Sequence, residues 1–144
     1  AYNIIQIGDL GFVLKDSHFN VFYYNLIQEC VSYAVYIGEN SHNNTLYLNT
    51  FFENNHLYDW QAEDFGLNNS WYNETTHLGN YWSDWSGTGS YSIGGSAGSV
   101  DLYPLLFPSI TPRIDEFSMF LSLPLFLLLV AIAVPILKIK HKNK

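Results

Sequence analysis

The stretch SHFNVFYYNLIQEC, residues 17–30, returns as SHNNTLYLNTFFEN, residues 41–54. At a shift of 24, Ser17 meets Ser41, His18 meets His42 and Asn20 meets Asn44. Tyr23 then meets Tyr47, Asn25 meets Asn49 and Glu29 meets Glu53. Just upstream, GFVL at 11–14 matches AVYI at 34–37 at a shift of 23, which places one inserted residue near Gly38. A period this short has little room for two helices. Its Val, Ile, Tyr, Phe and Thr favour strands, and its Asn residues favour corners. Three short strands joined by Asn-bearing turns make one coil of a parallel β-solenoid.

Stacked coils lie about 4.8 Å apart, so equivalent residues sit directly over each other. Asn20 over Asn44 and Asn25 over Asn49 would form amide ladders, and Tyr23 over Tyr47 would stack rings. Phe12, Leu14, Val35 and Ile37 would share one face, with Val13 and Tyr36 on the other. One coil cannot bury its own core, so at least about three are expected. Residues 1–56 supply about two. Further coils are therefore expected ahead of Ala1, where the chain opens without a targeting segment.

After Asn55 the register fades. Residues 57–107 hold all four tryptophans with many Tyr, Gly, Ser and Asn, and read as a cap over the last solenoid edge. Residues 108–116, with Pro108 and Pro112, read as a linker. The run FSMFLSLPLFLLLVAIAVPIL, Phe117 to Leu137, carries no charge over 21 residues. As a helix it would span roughly 30 Å, the thickness of a bilayer core. Lys138, Lys140, Lys142 and Lys144 follow it, and Asp115 and Glu116 precede it. Basic flanks stay inside, so the sequence predicts one transmembrane helix, an extracytoplasmic N-terminal part, and a cytoplasmic tail at 138–144. A rival is an apolar tail removed by a sorting enzyme, but no processing motif precedes Phe117.

Residues 1–116 hold all 13 acidic residues against only Lys15 and Arg113, a formal charge of −11. A surface this acidic argues against nucleic acid as a partner. Cys30 is the only cysteine, so no internal disulfide forms. A buried small side chain is its plainest role.

The segment after the coils carries specific motifs: AEDFGLNNSW from Ala62, LGNYWSDWSGTG from Leu78, YSIGG from Tyr91, and VDLYPL from Val100. These resemble the C-terminal end of NosD-type right-handed parallel β-helix proteins, part of a pectin-lyase-like group of carbohydrate-binding and sugar-hydrolase repeats. Gly79 to Trp85 is the most specific part, and DLYPL resembles the family's closing signature. The apolar tail resembles those of archaeal surface members. The resemblance implies an all-β fold, a right-handed parallel β-helix with a C-terminal cap. It also implies copper as a candidate ion. Relatives carry an acidic glycine loop suited to calcium, but here Ser86–Ser90 has no acid, which puts such a site in doubt.

Candidate sites follow from these placements. Trp71, Tyr81, Trp82 and Trp85 would offer ring faces to sugars, with Asp84 and Asn80 bonding hydroxyls. The same rings explain a cap core, and that reading is preferred. His18 and His42 would stack one coil apart and could share a metal ion, although no third ligand is in register. Glu29 with Glu53, and Glu63 with Asp64, are the nearest approach to paired catalytic carboxylates. The first pair sits near solvated turns and the second points apart along a strand. Asn43, Asn68 and Asn73 begin glycosylation sequons. Together these predict no resident cofactor and no catalytic site, and a membrane-anchored surface module that binds or displays carbohydrate or other surface components. The alternatives are the end of a polysaccharide lyase or hydrolase, or of a NosD-like copper-delivery protein.

Overall fold

The computed structural model describes residues 3–6, 8–55 and 59–110. These residues are all-β, with no helix among them. The strands are short: β1 (Asn3–Gln6), β2 (Phe12–Leu14), β3 (Val21–Tyr23), β4 (Asn25–Gln28), β5 (Val35–Ile37), β6 (Thr45–Tyr47), β7 (Thr50–Phe52), β8 (Ala62–Asp64), β9 (Tyr81–Trp82), β10 (Tyr91–Ser92) and β11 (Val100–Asp101). They pair as β1-β4-β7-β9, β2-β5-β8 and β3-β6, all parallel, plus an antiparallel β10-β11 hairpin. The chain visits three sheets in turn and comes back to each one rung further on. That is a parallel β-helix. The transmembrane run Phe117–Leu137 and the tail at 138–144 lie outside the described residues, as does most of the linker.

The predicted registers appear directly. Val21 pairs with Thr45 and Tyr23 with Tyr47, a shift of 24, and Phe12 pairs with Val35, a shift of 23. The stacking continues beyond Asn55, into the segment expected to be cap. Ala62 pairs with Val35, Ser70 bridges to Thr45, and Tyr81 pairs with Thr50, at shifts of 27, 25 and 31. Insertions at the corners lengthen this coil, and unequal insertions hide it from a fixed-period search. Closure begins later. The Tyr91 ring of the β10-β11 hairpin lies flat on Trp82, with centroids 4.1 Å apart and planes 9° from parallel.

Inside, alternate strand residues form columns. Ile5, Ile27, Phe51 and Trp82 make one. Phe12, Val35 and Ala62 make another, and Leu14, Ile37 and Asp64 a third. The first grows from isoleucine to tryptophan towards the end, which fills the last layer and excludes water.

Each corner has a fixed grammar. A residue with left-handed backbone is followed by an inward side chain. Phe19, Asn43 and Asn68 have φ of 56°, 57° and 55°, and precede Asn20, Asn44 and Asn69. Tyr24 and Leu48 precede Asn25 and Asn49 at a second corner, and Glu29 and Glu53 precede Cys30 and Asn54 at a third. The left-handed region costs a non-glycine residue roughly 1–2 kcal/mol. The amides that follow offset it. Asn49 Oδ1 accepts from the Asn25 backbone N–H at 3.1 Å and from its Nδ2 at 2.9 Å, while Asn49 Nδ2 donates to the Phe22 carbonyl and to Asn80 Oδ1. Asn20, Asn44 and Asn69 repeat the pattern.

Candidate functional site

An asparagine ladder has a direction, because each amide oxygen accepts from the rung before it. The last rung then holds donors that need an acceptor, and a carboxyl oxygen is one. All three ladders end this way. Asn69 Nδ2 donates to Asp64, which also accepts from the Gly66 N–H, the Trp71 indole and Ser99. Asn80 donates to Asp101, which also accepts from the Trp82 indole and the Tyr103 N–H. Asn54 donates to Gln61, whose Nε2 donates to Asp84, and the Tyr91 hydroxyl donates to the other Asp84 oxygen. Burial and the Asp84 charge push the Tyr91 phenol up, so it stays a donor.

This placement sorts the predicted ligand-binding residues. Trp71 and Trp82 are 0 % and 1 % exposed, and Asn80 is fully buried as a ladder rung. They lie in the core beside the terminal aspartates. Trp85 is partly buried against the same core, and its indole nitrogen has no hydrogen-bond partner. Tyr81 and Asp84 do come together. With Phe52, Glu53, Asp59 and Gln61 they line a groove of about 610 Å³.

The exposed aromatic surface lies on another face. Tyr23 and Tyr47, on β3 and β6, stack with centroids 5.5 Å apart and planes 14° from parallel. Tyr24 meets Tyr23 edge-on at 5.7 Å. Thr45 bridges to Ser70, and two residues beyond that bridge come Tyr47 and Tyr72. Tyr72 meets Tyr103 edge-on at 5.1 Å, and Tyr103 stacks on His77 at 4.7 Å. Tyr23, 38 % exposed, stacks on the half-buried Tyr47, and Tyr72 follows one coil on at the matching position, so tyrosines recur up this face as a column of equivalent positions. Beside it runs an open groove of about 340 Å³ lined by Asn43, Thr45, Asn68, Ser70, Tyr72, Asn73, Glu74 and Thr75. All three sequon asparagines lie here. The Tyr23–Tyr47 pair was legible in the repeat. The groove was not, because Tyr72 and Asn73 arrive through the irregular third coil.

The histidine pair is also formed. His18 bridges to His42, with ring centroids 3.8 Å apart and planes 21° from parallel. Face-to-face rings send their nitrogen lone pairs side by side and not towards one point. Asn43 Nδ2 lies 3.0 Å from His42 Nδ1 and engages that nitrogen. Leu67 takes the next rung. Among the described residues no group of three His, Cys, Asp or Glu is placed to hold a metal. Cys30 is buried, and burial raises its thiol pKa, which disfavours the thiolate that binds metals. His56 lies outside the described residues.

The acidic pairs separate as well. Asp64 is buried and fully engaged, while Glu63 on the outer face accepts from the Tyr33 hydroxyl at 2.9 Å. Glu29 accepts from Gln28 Nε2 at 3.0 Å.

No curated protein and no solved structure matches the chain. A family model does. The family described as periplasmic copper-binding protein (NosD) matches residues 1–87, which covers the regular coils, the irregular third coil and the motif Gly79–Trp85. Its description agrees with an extracytoplasmic location. The parallel coils, the corner ladders and this match together make the chain a member of the NosD family.

Proposed function

We propose that this chain is a non-catalytic, extracytoplasmic binding module whose tyrosine column and adjoining groove hold an extended carbohydrate, and that residues 117–137 tether it to a membrane as a single span. The observation that carries this is the stack of the exposed Tyr23 on the half-buried Tyr47 beside the polar groove. A repeating scaffold presents one phenol edge and one hydroxyl per coil. A ligand that repeats its hydroxyls along its length matches such a row, and a tyrosine offers both an apolar body and a polar tip. Asn43, Asn68, Ser70, Thr45 and Thr75 add neutral donors and acceptors, which suit an uncharged polyol. The solenoid would be right-handed, as pectin-lyase-like relatives are.

Affinity electrophoresis of the full chain through gels holding neutral polysaccharides tests this reading. Retardation that falls in Tyr23→Ala and Tyr47→Ala supports it. Equal mobility with and without every polysaccharide rejects it. An aromatic contact is worth about 0.5–1.5 kcal/mol, so each substitution should weaken binding roughly 2- to 10-fold.

Copper handling is a second reading, favoured by the His18–His42 stack and the family's description. The donor set fits it poorly. Two parallel imidazoles, one already engaged by Asn43, fall short of a complete copper site.

A further inference from the structure

The chain beyond β11 leaves the hairpin and runs back along a corner of the helix as a strap. Its backbone is pinned at several points. Gly79 N–H donates to the Tyr103 carbonyl at 2.9 Å, and Leu105 N–H donates to the Asn80 carbonyl at 2.8 Å. Further on, the Ser109 hydroxyl donates to the Leu48 carbonyl at 2.5 Å, and Ile110 N–H donates to Thr50 Oγ1 at 3.2 Å. Between these fixed points the strap leaves large apolar side chains in water. Leu102 is 50 % exposed, Leu106 66 % and Phe107 79 %. Phe19 is also exposed, but it packs edge-on against His42 at 5.8 Å and lies with Val21, Tyr23 and Tyr24 on the first coils, away from the strap in sequence. Three in six residues, held on a fixed backbone, form a patch.

Charge sets this strap apart from the rest of the domain. Residues 102–110 contain no charged residue, while the other residues of 1–116 carry −11. Phe117, where the 21-residue uncharged run begins, lies ten positions beyond Phe107. Ten extended residues reach at most about 35 Å. A bilayer entered by that run therefore lies within reach of the strap. Apolar side chains beside an aromatic, free of negative charge, suit the boundary between headgroups and acyl chains.

We propose that Leu102, Leu106 and Phe107 insert into the lipid interface, so that the solenoid is seated on the bilayer by its strap. This rests on the tether reading above and names the partner of the strap as phospholipid.

The test uses the full chain in vesicles of mixed zwitterionic and anionic phospholipid, with an environment-sensitive fluorophore on Phe107→Cys or Leu106→Cys. Cys30 is buried and stays unlabelled. Lys15→Cys, on an exposed corner, is the control. The expected result is co-flotation with vesicles, a blue-shifted emission at 107, and at least twofold quenching there by bromine-labelled lipid, with none at 15. Co-flotation with equal water exposure at both positions overturns the seat and leaves the tether standing. Failure to co-float overturns the tether, and the seat with it. Leu106→Ser with Phe107→Ser should leave flotation intact while abolishing quenching of a probe at Leu102→Cys. Unchanged quenching in that variant also overturns the seat.

Discussion

Asn80 and Asp101 are joined twice: the Asn80 backbone N–H donates to Asp101 Oδ2 at 2.7 Å, and Asn80 Nδ2 reaches the same oxygen at 3.3 Å. This link ends a ladder that starts at Asn3 and passes through Asn25 and Asn49. The Asp101 carboxyl can end it because its oxygens accept several donors at once. The Trp82 indole donates to the same oxygen, so the end of the ladder and the end of the core column are one structure.

Replacing Asp101 should therefore cost stability in a graded way. Asp101→Ala leaves the buried donors of Asn80, Trp82 and Tyr103 without an acceptor, and an unsatisfied buried group costs about 1–3 kcal/mol. We expect a loss of roughly 2–4 kcal/mol in urea unfolding. Asp101→Asn keeps one acceptor oxygen but turns an amide towards the Tyr103 N–H, so its loss should be smaller. Equal stability of the alanine variant and the parent would contradict the ladder-end role.

The pH dependence follows from the same residue. Burial raises the Asp101 carboxyl above the usual carboxylate range, opposed by the donors from Trp82, Asn80 and Tyr103. The folded state then holds this proton more tightly than the unfolded chain does. Its contribution is fully present below the ordinary carboxylate range and is lost as pH rises through the raised value. Unfolding measured between about pH 3 and pH 7 should show this decline in the parent and a flatter profile in Asp101→Asn. Parallel profiles would refute the assignment.

Gly79 is a second constraint on the same end. A methyl group built there meets the Asp101 carboxylate directly. Gly79→Ala must displace the ladder terminus, and we expect a loss of about 2–4 kcal/mol by denaturant titration. Gly87→Ala makes a useful contrast. Its backbone is left-handed, with φ of 85°, but nothing lies near the added group, so only backbone strain of about 1–2 kcal/mol applies.

For copper, the stacked imidazoles set a limit. A two-nitrogen site on the surface should bind Cu(II) weakly, and His42→Ala should remove what binding there is. Isothermal titration of the full chain reads this directly. Tight binding that survives loss of both His18 and His42 would place the site elsewhere in the chain.

The regular coils were legible because Asn20, Tyr23 and Asn25 recur at one fixed spacing, and strand physics then dictates what stacks on what. The third coil was hidden. Its corner insertions shift Ala62, Ser70 and Tyr81 by three different amounts, so no single period finds them. The side each tryptophan takes was not legible, because composition cannot say which face of a strand a ring occupies. Trp71 and Trp82 fall on the inward parity set by Leu46 and Phe51, and the terminal aspartates take their indole N–H groups. Asp64 and Asp101 looked like ordinary acids, since a ladder's need for a terminal acceptor shows only once the rungs are connected.

Hydroxyl-radical footprinting of the full chain, with and without a neutral polysaccharide that retards it, tests the central claim most directly. The account predicts protection of Tyr23, Tyr47 and Tyr72, with Tyr36 on the β5 face unchanged. Protection at Tyr36 or at Tyr81, with the tyrosine column as reactive as before, would contradict it.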